Sequence, residues 1–276
     1  MAIELNFIKM HALGNDFILI DQLTHSFELS TTQINFLCGR KIGIGADQLL
    51  VISKSTNANY RYRIFNCDGN EVSQCGNGAR CVVLYLTKTY GITQMSLETN
   101  NRILNGTYVS NQEISINLGD PSFIPQDLPF ISEYNSNNHY ELDIGSQIIT
   151  FAIVDVGNPH VVIKVDKPTD LLDKIHLANL ANAIQNCGKF PKSVNVNFYY
   201  PISQSRLKLL TYERGCGFTY ACGSGATATA CHAISLNTFS NPINIEMELG
   251  SLDVYWNNGV IITGDANWVF NGTIYV

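Results

Sequence analysis

The feature that most constrains this chain is a short motif that occurs twice, a cysteine followed by Gly-x-Gly-Ala. The first copy lies in "SQCGNGARC" (residues 73–81) and the second in "YACGSGATA" (residues 220–228), so 222 − 75 = 147 positions separate the two cysteines. Each copy leads into a predicted helix, one from about Gly76 to a stop at Gly91 and one from about Gly223. Both helices are apolar or small on nearly every side, which is typical of a helix surrounded by other structure.

The duplication extends beyond the cysteines. "LGNDFILID" (residues 13–21) resembles "VGNPHVVIKVD" (residues 156–166), with 157 − 14 = 143 positions between the two Gly-Asn pairs. A polar residue stands nine positions before each motif cysteine, Asn66 in the first copy and Glu213 in the second. The offsets of 143 and 147 differ by four positions, the size of a loop insertion. The ordered series therefore predicts two similar domains.

Alternating apolar and polar residues dominate the rest of the chain, as in "QLLVISKS", "YRYRIF", "HVVIKVD" and "RLKLLTY", and predict strands between turn residues. Two further helices are predicted, "TTQINFLCGR" capped by Ser30 and "LLDKIHLANLANAIQ" beginning at Asp170. Many strands around one apolar helix, found twice, predict an α+β fold with two pseudo-symmetric domains.

The polar, Asn-rich segment 122–141 is the expected domain boundary. We predict a first domain of residues 1–121 with 267–276, which carries Cys75, and a second domain of residues 122–266, which carries Cys222. The last ten residues are expected to return to the first domain as an extra strand.

Composition narrows the class of protein. The formal net charge of −6 gives no electrostatic reason to bind nucleic acid or anionic lipid, and no apolar run reaches membrane-spanning length. The N-terminus "MAIELNFIKM" lacks the layout of a signal peptide, so we expect a cytoplasmic protein. Its eight cysteines form no CxxC pair, which favours reduced thiols over a disulfide scaffold or a zinc site. No metal is therefore expected.

The repeated motif has a definite chemistry. A glycine-rich turn that opens a helix leaves backbone N–H groups without internal partners beside the positive end of the helix dipole, which suits a carboxylate. The same field is expected to lower the pKa of a cysteine thiol at that position below its free value of about 8.5. Two such sites that face each other would place two sulfurs on opposite sides of one bound anion.

A reaction that uses two equivalent thiols is the inversion of a stereocentre next to a carboxylate. One thiolate removes the α-hydrogen on one face, and a thiol returns a proton on the other face, without a cofactor. A hydrolase needs one nucleophile, and a disulfide oxidoreductase usually has its thiols close together as CxxC. Cys75 and Cys222 are thus the predicted acid and base. A dinucleotide site is not supported, because the third glycine and the acidic residue of that motif are missing.

Polar residues are predicted to surround this site. "GNPH" (residues 157–160) brings a carboxamide and an imidazole into one turn, and "YERG" (residues 212–215) pairs a carboxylate with a guanidinium. Arg214 is suited to bidentate binding of a substrate carboxylate. Glu213 and His160 are candidates to tune or orient the sulfurs.

These motifs resemble those of the diaminopimelate epimerases, members of the cofactor-independent racemase group that includes proline racemase. The matching stretches include "MHALGNDFILID", "GIGADQ", "NCDGNEVSQCGNGARC", "VGNPH", "FPKSVNVNF" and "YERGCGFTYACGSGA", and they run almost from end to end. The resemblance implies that each domain is a mainly antiparallel strand barrel around a central helix, with the active site in the cleft between the domains. It also implies interconversion of LL- and meso-diaminopimelate, a step toward lysine and the peptidoglycan cross-link.

By the same resemblance, roles pass to individual residues. Cys75 and Cys222 would be the acid–base thiols, with His160 and Glu213 tuning them. The reacting carboxylate would be held by Gly76, Asn77, Gly223 and Ser224, helped by Asn15 and Gln48. The distant amino-acid end would be recognised by Asn66, Asn158, Asn195, Glu213 and Arg214. The expected partner is this small-molecule substrate, with no nucleic acid and no membrane, and a homodimer is left open.

The chain departs from the family pattern at three places. Phe218 replaces the usual acidic residue of Gly-Glu-Thr, Cys67 replaces a small residue after Asn66, and Thr227 stands where a small or thiol residue is common. Two other functions stay open on the sequence: a proline-type racemase on the same fold, and a non-enzymatic thiol switch or metal-binding protein.

Overall fold

The computed structural model describes residues 4–25, 27–132, 139–145 and 147–276. The chain divides into two compact units, Met1–Leu118 with Thr263–Val276 (unit 1) and Gly119–Ile262 (unit 2). The sequence placed these divisions after residues 121 and 266. Part of the predicted boundary segment, residues 133–138, lies outside the described residues.

Unit 1 consists of a strand series with two helices. Its elements are β1 (Glu4–Ala12), β2 (Asn15–Asp21), α1 (Thr31–Cys38), β3 (Gln48–Ser53), β4 (Tyr60–Asn66), β5 (Glu71–Val72), α2 (Gly76–Tyr90), β6 (Gln94–Glu98), β7 (Ile103–Tyr108), β8 (Ile114–Asn117) and, from the end of the chain, β18 (Asn267–Tyr275). Strand β1 pairs antiparallel with β2 and β18. Strands β2 and β3 are parallel, β3 and β4 antiparallel, β4 and β6 parallel, and β6, β7 and β8 antiparallel.

Unit 2 repeats this series. Its elements are β9 (Tyr140–Asp143), β10 (Ile148–Asp155), β11 (Pro159–Lys164), a 3₁₀ helix (Pro168–Leu172), α3 (Lys174–Gln185), β12 (Asn195–Ser203), β13 (Arg206–Glu213), β14 (Gly217–Phe218), α4 (Gly223–Ser235), β15 (Ile243–Met247), β16 (Gly250–Trp256) and β17 (Val260–Gly264), which contains the division between the units. Each strand pair of unit 2 is parallel or antiparallel as its counterpart in unit 1 is. The pairs are β10 with β11, β11 with β12, β12 with β13, β13 with β15 and β15 with β16. The fold is therefore α+β with two pseudo-symmetric domains, each a mainly antiparallel barrel around a central helix.

The central helices are α2 and α4. Ten consecutive residues of α2, Asn77 to Leu86, are buried, and the helix packs against β1, β7 and β8. Helix α4 packs against β10, β11 and β16 in the same way, with small residues such as Ala226 and Ala230 fully buried. Strands on all sides explain why neither helix has the polar face of a surface helix.

The second helix of each unit covers the outside of its sheet. Ile34 and Leu37 of α1 pack with alternate residues of β2, Ile18 and Ile20, as the two-residue period of a strand requires. In unit 2, α3 contributes Leu177, Leu180, Ala181 and Ile184 to a core that also contains Phe198 of β12.

Most predicted elements are confirmed, and one helix start is wrong. Ser30 caps α1 as predicted, and α2 ends at Gly91, whose φ of 72° is left-handed. The helix predicted from Asp170 instead begins at Lys174, because the Asp173 side chain accepts the N–H of His176 at 3.0 Å and caps it there.

Strands β6, β7, β9 and β10 and the two-residue strands β5 and β14 were missed. The interior glycine of β7, Gly106, argues against a strand on sequence alone. A Cβ at Gly106 would lie 2.4 Å from Cγ2 of Val83, so the glycine lets α2 approach the sheet.

Candidate active site

The N-terminus of α2 presents Cys75. Cys75 is the N-cap residue, and the backbone N–H of Gly78 donates to its sulfur at 3.4 Å. The first intrahelical bond runs from Ala79 N to Cys75 O at 2.9 Å, so the N–H groups of Gly76 and Asn77 precede the helical ladder. Unit 1 therefore combines a half-buried thiol and helix N–H groups outside the ladder at one point.

The N-terminus of α4 has the same geometry. Cys222 is the N-cap, Gly225 N donates to its sulfur at 3.3 Å, and Ala226 N bonds to its carbonyl oxygen at 2.9 Å. The predicted placement of both cysteines at helix starts is confirmed. The two sulfurs differ in exposure, since Cys222 is buried and Cys75 is partly exposed.

The second glycine of each motif is required by close packing. A Cβ at Gly78 would lie 2.4 Å from the hydroxyl oxygen of Tyr62, and a Cβ at Gly225 would lie 2.5 Å from Oδ1 of Asn197 and 2.7 Å from Oγ1 of Thr211. Any larger residue would push the helix start away from the strands that hold it.

A chain of side chains leads to Cys75 in unit 1. Oδ1 of Asn15 lies 3.9 Å from the Cys75 sulfur and accepts from Nδ2 of Asn77 at 3.3 Å. Nδ2 of Asn15 donates to Asp47 at 3.0 Å, and Oδ1 of Asn77 accepts from Nη2 of Arg80 at 3.0 Å. The structure thus brings the predicted residues Asn15, Asn77 and Cys75 together. Asp47 and Arg80 were not predicted.

Gln48 and Asn66 form a second polar pair in unit 1. They lie opposite each other in the β3–β4 ladder, and Nε2 of Gln48 donates to Oδ1 of Asn66 at 2.9 Å. Oδ1 of Asn66 therefore has a protein partner, and Oε1 of Gln48 is a buried acceptor with none among the described residues.

A different chain leads to Cys222 in unit 2. Nε2 of His160 lies 3.1 Å from Oδ1 of Asn158, Nδ2 of Asn158 donates to Ser224 at 3.1 Å, and the Ser224 hydroxyl lies 3.4 Å from the Cys222 sulfur. His160 thus bonds to Asn158 rather than to a sulfur, so its predicted tuning of a thiol is indirect. On the other side, Nδ2 of Asn197 lies 2.9 Å from Nδ1 of His160.

The tautomer of His160 follows from these partners. Oδ1 of Asn197 accepts from Thr211 at 3.0 Å, so the Asn197 amide presents its NH₂ group to Nδ1 of His160. Nδ1 is then the acceptor, and Nε2–H donates to Asn158. Full burial lowers the pKa of His160 to about 3, so the imidazole is neutral. Asn197 was not predicted from the sequence. Asn at alternate positions of the otherwise apolar strand "VNVNF" could have indicated a buried polar residue.

The "YERG" segment lies beside these groups. Asn195 accepts the backbone N–H of Arg214 at 2.9 Å, and Thr219 donates to Glu213 at 2.5 Å. The Arg214 side chain is exposed, donates to the carbonyl of Lys192 at 2.7 Å, and has no carboxylate partner among the described residues. The guanidinium is therefore available to an anionic ligand.

One electrostatic expectation is wrong for Cys222. A lowered pKa was predicted from the helix dipole, but burial raises the pKa of the Cys222 thiol well above its usual value, and the charge of Glu213 adds to the rise. The hydrogen bonds from Ser224 and Gly225 act in the opposite direction and do not overcome burial. Cys222 therefore carries its proton at neutral pH.

The three departures from the family pattern have local structural roles. The Phe218 ring packs edge-on against Tyr212, with centroids 5.0 Å apart. The Cys67 thiol donates to the carbonyl of Ala46 at 2.9 Å, and the Thr227 hydroxyl donates to the carbonyl of Gly223 at 2.7 Å. None of these three contacts involves the sulfur of Cys75 or Cys222.

All eight cysteines lie in the described residues and are reduced thiols. Within that part of the chain, no group of three or more His, Cys, Asp or Glu side chains is placed to bind one metal ion. Among the described helices, none has the length and apolar content needed to cross a bilayer.

Comparison with known proteins identifies the family. The family model described as diaminopimelate epimerase matches residues 7–124 and 152–269, one segment for each copy of the repeat. The chain is 38% identical over 278 residues to the diaminopimelate epimerase of Nitrosospira multiformis, with 98% of each chain covered. It is also 38% identical over 279 residues to that of Legionella pneumophila subsp. pneumophila, covering 98% of this chain and 99% of the relative.

Solved structures show the same fold at low identity. A probable proline racemase from Agrobacterium radiobacter aligns with a TM-score of 0.71 at 12% identity, covering 97% of this chain and 92% of that one. The family match defines the protein as an isomerase of the epimerase class. The chain belongs to the diaminopimelate epimerase family, so the resemblance drawn from its motifs is confirmed.

Proposed function

We propose that this chain interconverts LL- and meso-diaminopimelate, with Cys75 and Cys222 as the acid and the base on one α-carbon. The observation that carries the proposal is that each copy of the repeat presents one thiol as the N-cap of its central helix. Family membership supports the substrate and the reaction.

The proton inventory of the reaction balances without a further reactant. The thiolate on one face takes the α-proton and becomes a thiol, and the electron pair moves toward the substrate carboxylate to give an enolate-like transition state. The thiol on the other face gives its proton to the α-carbon and becomes a thiolate. The high pKa of buried Cys222 suits it to be the donor in the first turnover of the free enzyme.

The reacting carboxylate is proposed to bind the helix N–H groups at Gly76 and Asn77 and at Gly223 and Ser224. Charge that develops on this carboxylate would be stabilised by donors already held in place. Asn15 and Gln48 are proposed to assist. The distant amino-acid end is assigned to Asn66, Asn158, Asn195, Glu213 and Arg214. Arg214 is suited to bind the carboxylate of that end, because its guanidinium donates to a backbone carbonyl and to no carboxylate among the described residues.

Alanine substitution of each thiol tests the proposal. Cys75→Ala and Cys222→Ala should each reduce epimerisation, and α-hydrogen exchange in D₂O, by about 10²- to 10⁴-fold, the usual contribution of a positioned acid or base. The matched controls are Cys81→Ala and Cys231→Ala, which remove a buried sulfur from the same helices and should keep activity near that of the parent. Full turnover by either motif variant would refute the two-base assignment.

Substrate and class are tested by parallel assays. Racemisation of proline at a rate equal to that of diaminopimelate would favour the proline-type alternative, and stoichiometric zinc in the purified protein would favour a metal-binding role. The cytoplasmic location and the homodimer stay predictions, which fractionation of cells and size-exclusion chromatography with light scattering would test.

A further inference from the structure

The orientation of the Asn15 amide decides what the Cys75 sulfur meets. Oδ1 of Asn15 lies 3.9 Å from the sulfur and 3.3 Å from Nδ2 of Asn77, and Nδ2 of Asn15 lies 3.0 Å from Oδ2 of Asp47. In this orientation the sulfur faces an acceptor. After a half-turn of the amide it would face a donor.

The orientation is fixed from both ends of the chain of amides. The Arg80 guanidinium can only donate, so the oxygen of Asn77 faces Arg80 and its NH₂ group faces Asn15. The Asp47 carboxylate can only accept, so the NH₂ group of Asn15 faces Asp47. Oδ1 of Asn15 is thereby directed toward Asn77 and Cys75.

Asp47 uses its two oxygens for different partners. Oδ1 accepts from Nη2 of Arg40 at 2.7 Å, and Oδ2 accepts from Asn15 and from the backbone N–H of Asp16 at 3.2 Å. A carboxylate has two oxygens and accepts from Arg40 and from Asn15 at the same time. A side-chain amide has one oxygen and can accept from only one of them in this way. The Asp47 side chain is 46% exposed, so substitution there is compatible with folding.

We propose that Asp47 is a positioning residue of the epimerase reaction, which acts by holding the Asn15 oxygen against the Cys75 sulfur. An acceptor at that position favours the protonated sulfur. The inference rests on the proposed role of Cys75, but the contact it describes exists without substrate.

Other titratable or charged groups also face Cys75. Tyr62 of β4 donates its hydroxyl to the Cys75 carbonyl, and Arg80 and Cys81 lie on α2. Burial raises the pKa of Tyr62 and of Cys81, so both are neutral at physiological pH. The buried Arg80 is positively charged and favours a thiolate at Cys75. The acceptor held by Asp47 opposes that effect.

The test measures alkylation of Cys75 by iodoacetamide as a function of pH, without substrate, by mass spectrometry of the peptide that contains it. Below the midpoint of this pH profile, Asp47→Asn should increase the rate of Cys75 alkylation by about threefold. This is the order expected for loss of one weak hydrogen bond. The plateau at high pH, which reports access to the sulfur, should not change. Asp68→Asn, an exposed substitution with the same change of charge, serves as the control.

A double-mutant cycle with Asn15→Ala separates positioning from charge. If Asp47 acts through Asn15, Asp47→Asn has no more effect than Asp68→Asn once Asn15 is alanine. An equal effect of Asp47→Asn in both backgrounds, or no effect in either, overturns the proposal. Neither result bears on the Cys75→Ala assay, so failure of this inference is distinguishable from failure of the proposed function.

Arg40→Met provides a second variant that the proposal must satisfy. In Asp47→Asn the single amide oxygen at position 47 can accept from Arg40 or from Asn15. When Arg40→Met is added, the Arg40 donor is gone and this oxygen can turn toward Asn15. The rate increase caused by Asp47→Asn should therefore be reduced in the Arg40→Met background. An increase as large as in the parent background also overturns the proposal.

Discussion

The starts of α2 and α4 carry the same motif, yet their hydrogen-bond chains have opposite polarity. In unit 1, Asn15 accepts from Asn77 and presents an oxygen to Cys75. In unit 2 the corresponding asparagine, Asn158, donates to Ser224, which contacts Cys222. Since Ser224 already accepts from Asn158, its own hydroxyl proton is free to point at the sulfur.

The groups behind each asparagine cause this difference. Asp47 accepts from Asn15, whereas the neutral His160 donates from Nε2 to Asn158. The chain of amides in unit 1 thus ends on an acceptor at Cys75. The chain in unit 2 ends on a donor at Cys222, whose thiol also bonds to the Glu213 carboxylate. At Cys222 the Ser224 hydroxyl opposes the rise in pKa that burial causes, and the Glu213 carboxylate reinforces that rise.

A donor that opposes burial at Cys222 suits a reaction that runs in both directions. When either thiol must serve as acid in one direction and base in the other, closely matched proton affinities avoid a large barrier in either. We infer that the Ser224 hydroxyl limits the rise in the pKa of Cys222 and so helps that sulfur to act as the base.

The largest expected difference between the units is their stability in acid. His160 and His232 both lie in unit 2, and burial lowers their pKa values from 6.5 to about 3 and about 4. A folded pKa below the unfolded one means that the unfolded chain binds protons first as the pH falls below 6.5. The stability of unit 2 should therefore fall by about 4 kcal/mol between neutral pH and about pH 5, roughly 2 kcal/mol for each histidine.

Hydrogen exchange resolves this prediction by unit. Protection of α4 and β12, corrected for the intrinsic exchange rate, should fall far more than that of α2 and β3. His232→Gln should remove about half of the loss, since one of the two titrating groups is gone. An equal loss of protection in both units would mean that the buried histidines do not determine the loss of stability in acid.

The second prediction compares the close-packed glycines. Gly78→Ala and Gly225→Ala should each cost about 1–3 kcal/mol in the free energy of unfolding, because the new methyl group overlaps buried atoms. Gly225→Ala should cost more, since Asn197 is held by bonds to His160 and Thr211 and cannot move aside. Urea unfolding of both variants measures the difference.

A rescue experiment sharpens that comparison. Tyr62→Phe removes the hydroxyl that lies 2.4 Å from the new Cβ, so it should recover part of the stability lost in Gly78→Ala. Thr211→Val should not rescue Gly225→Ala, because a valine methyl takes the place of the hydroxyl oxygen that lies 2.7 Å from the new Cβ. A cost of Gly78→Ala that Tyr62→Phe leaves unchanged would show that overlap with the hydroxyl does not set the cost.

The parts of this structure that depend on local sequence were predictable. A cysteine before Gly-x-Gly-Ala specifies a helix start by itself, so both N-caps, the repeat and the central helices follow from pattern. The chain of amides does not, because it depends on register. Strands β2 and β3 are parallel, with Phe17 opposite Gln48, and this alignment brings Asp47 to Asn15 across about thirty residues of sequence.

The error at Cys222 has a similar cause. The motif predicts a field from the helix dipole, which is local, but the depth of burial depends on packing by distant segments. Identical motifs therefore gave one partly exposed and one buried sulfur. Desolvation then outweighed the dipole at the buried one.

Two substitutions with effects of only a few fold test whether the side-chain neighbours of Cys75 and Cys222 act in opposite directions. Ser224→Ala removes the donor beside Cys222, so the pH midpoint for its alkylation should rise, with a rate about fivefold lower below the midpoint. Asp47→Asn should move Cys75 in the opposite direction. Thr227→Ala is the matched control, because its hydroxyl bonds to the Gly223 carbonyl and not to the sulfur. Shifts of the same sign at both cysteines would mean that the two hydrogen-bond chains do not differ in polarity, and the role inferred for Ser224 would fail with them.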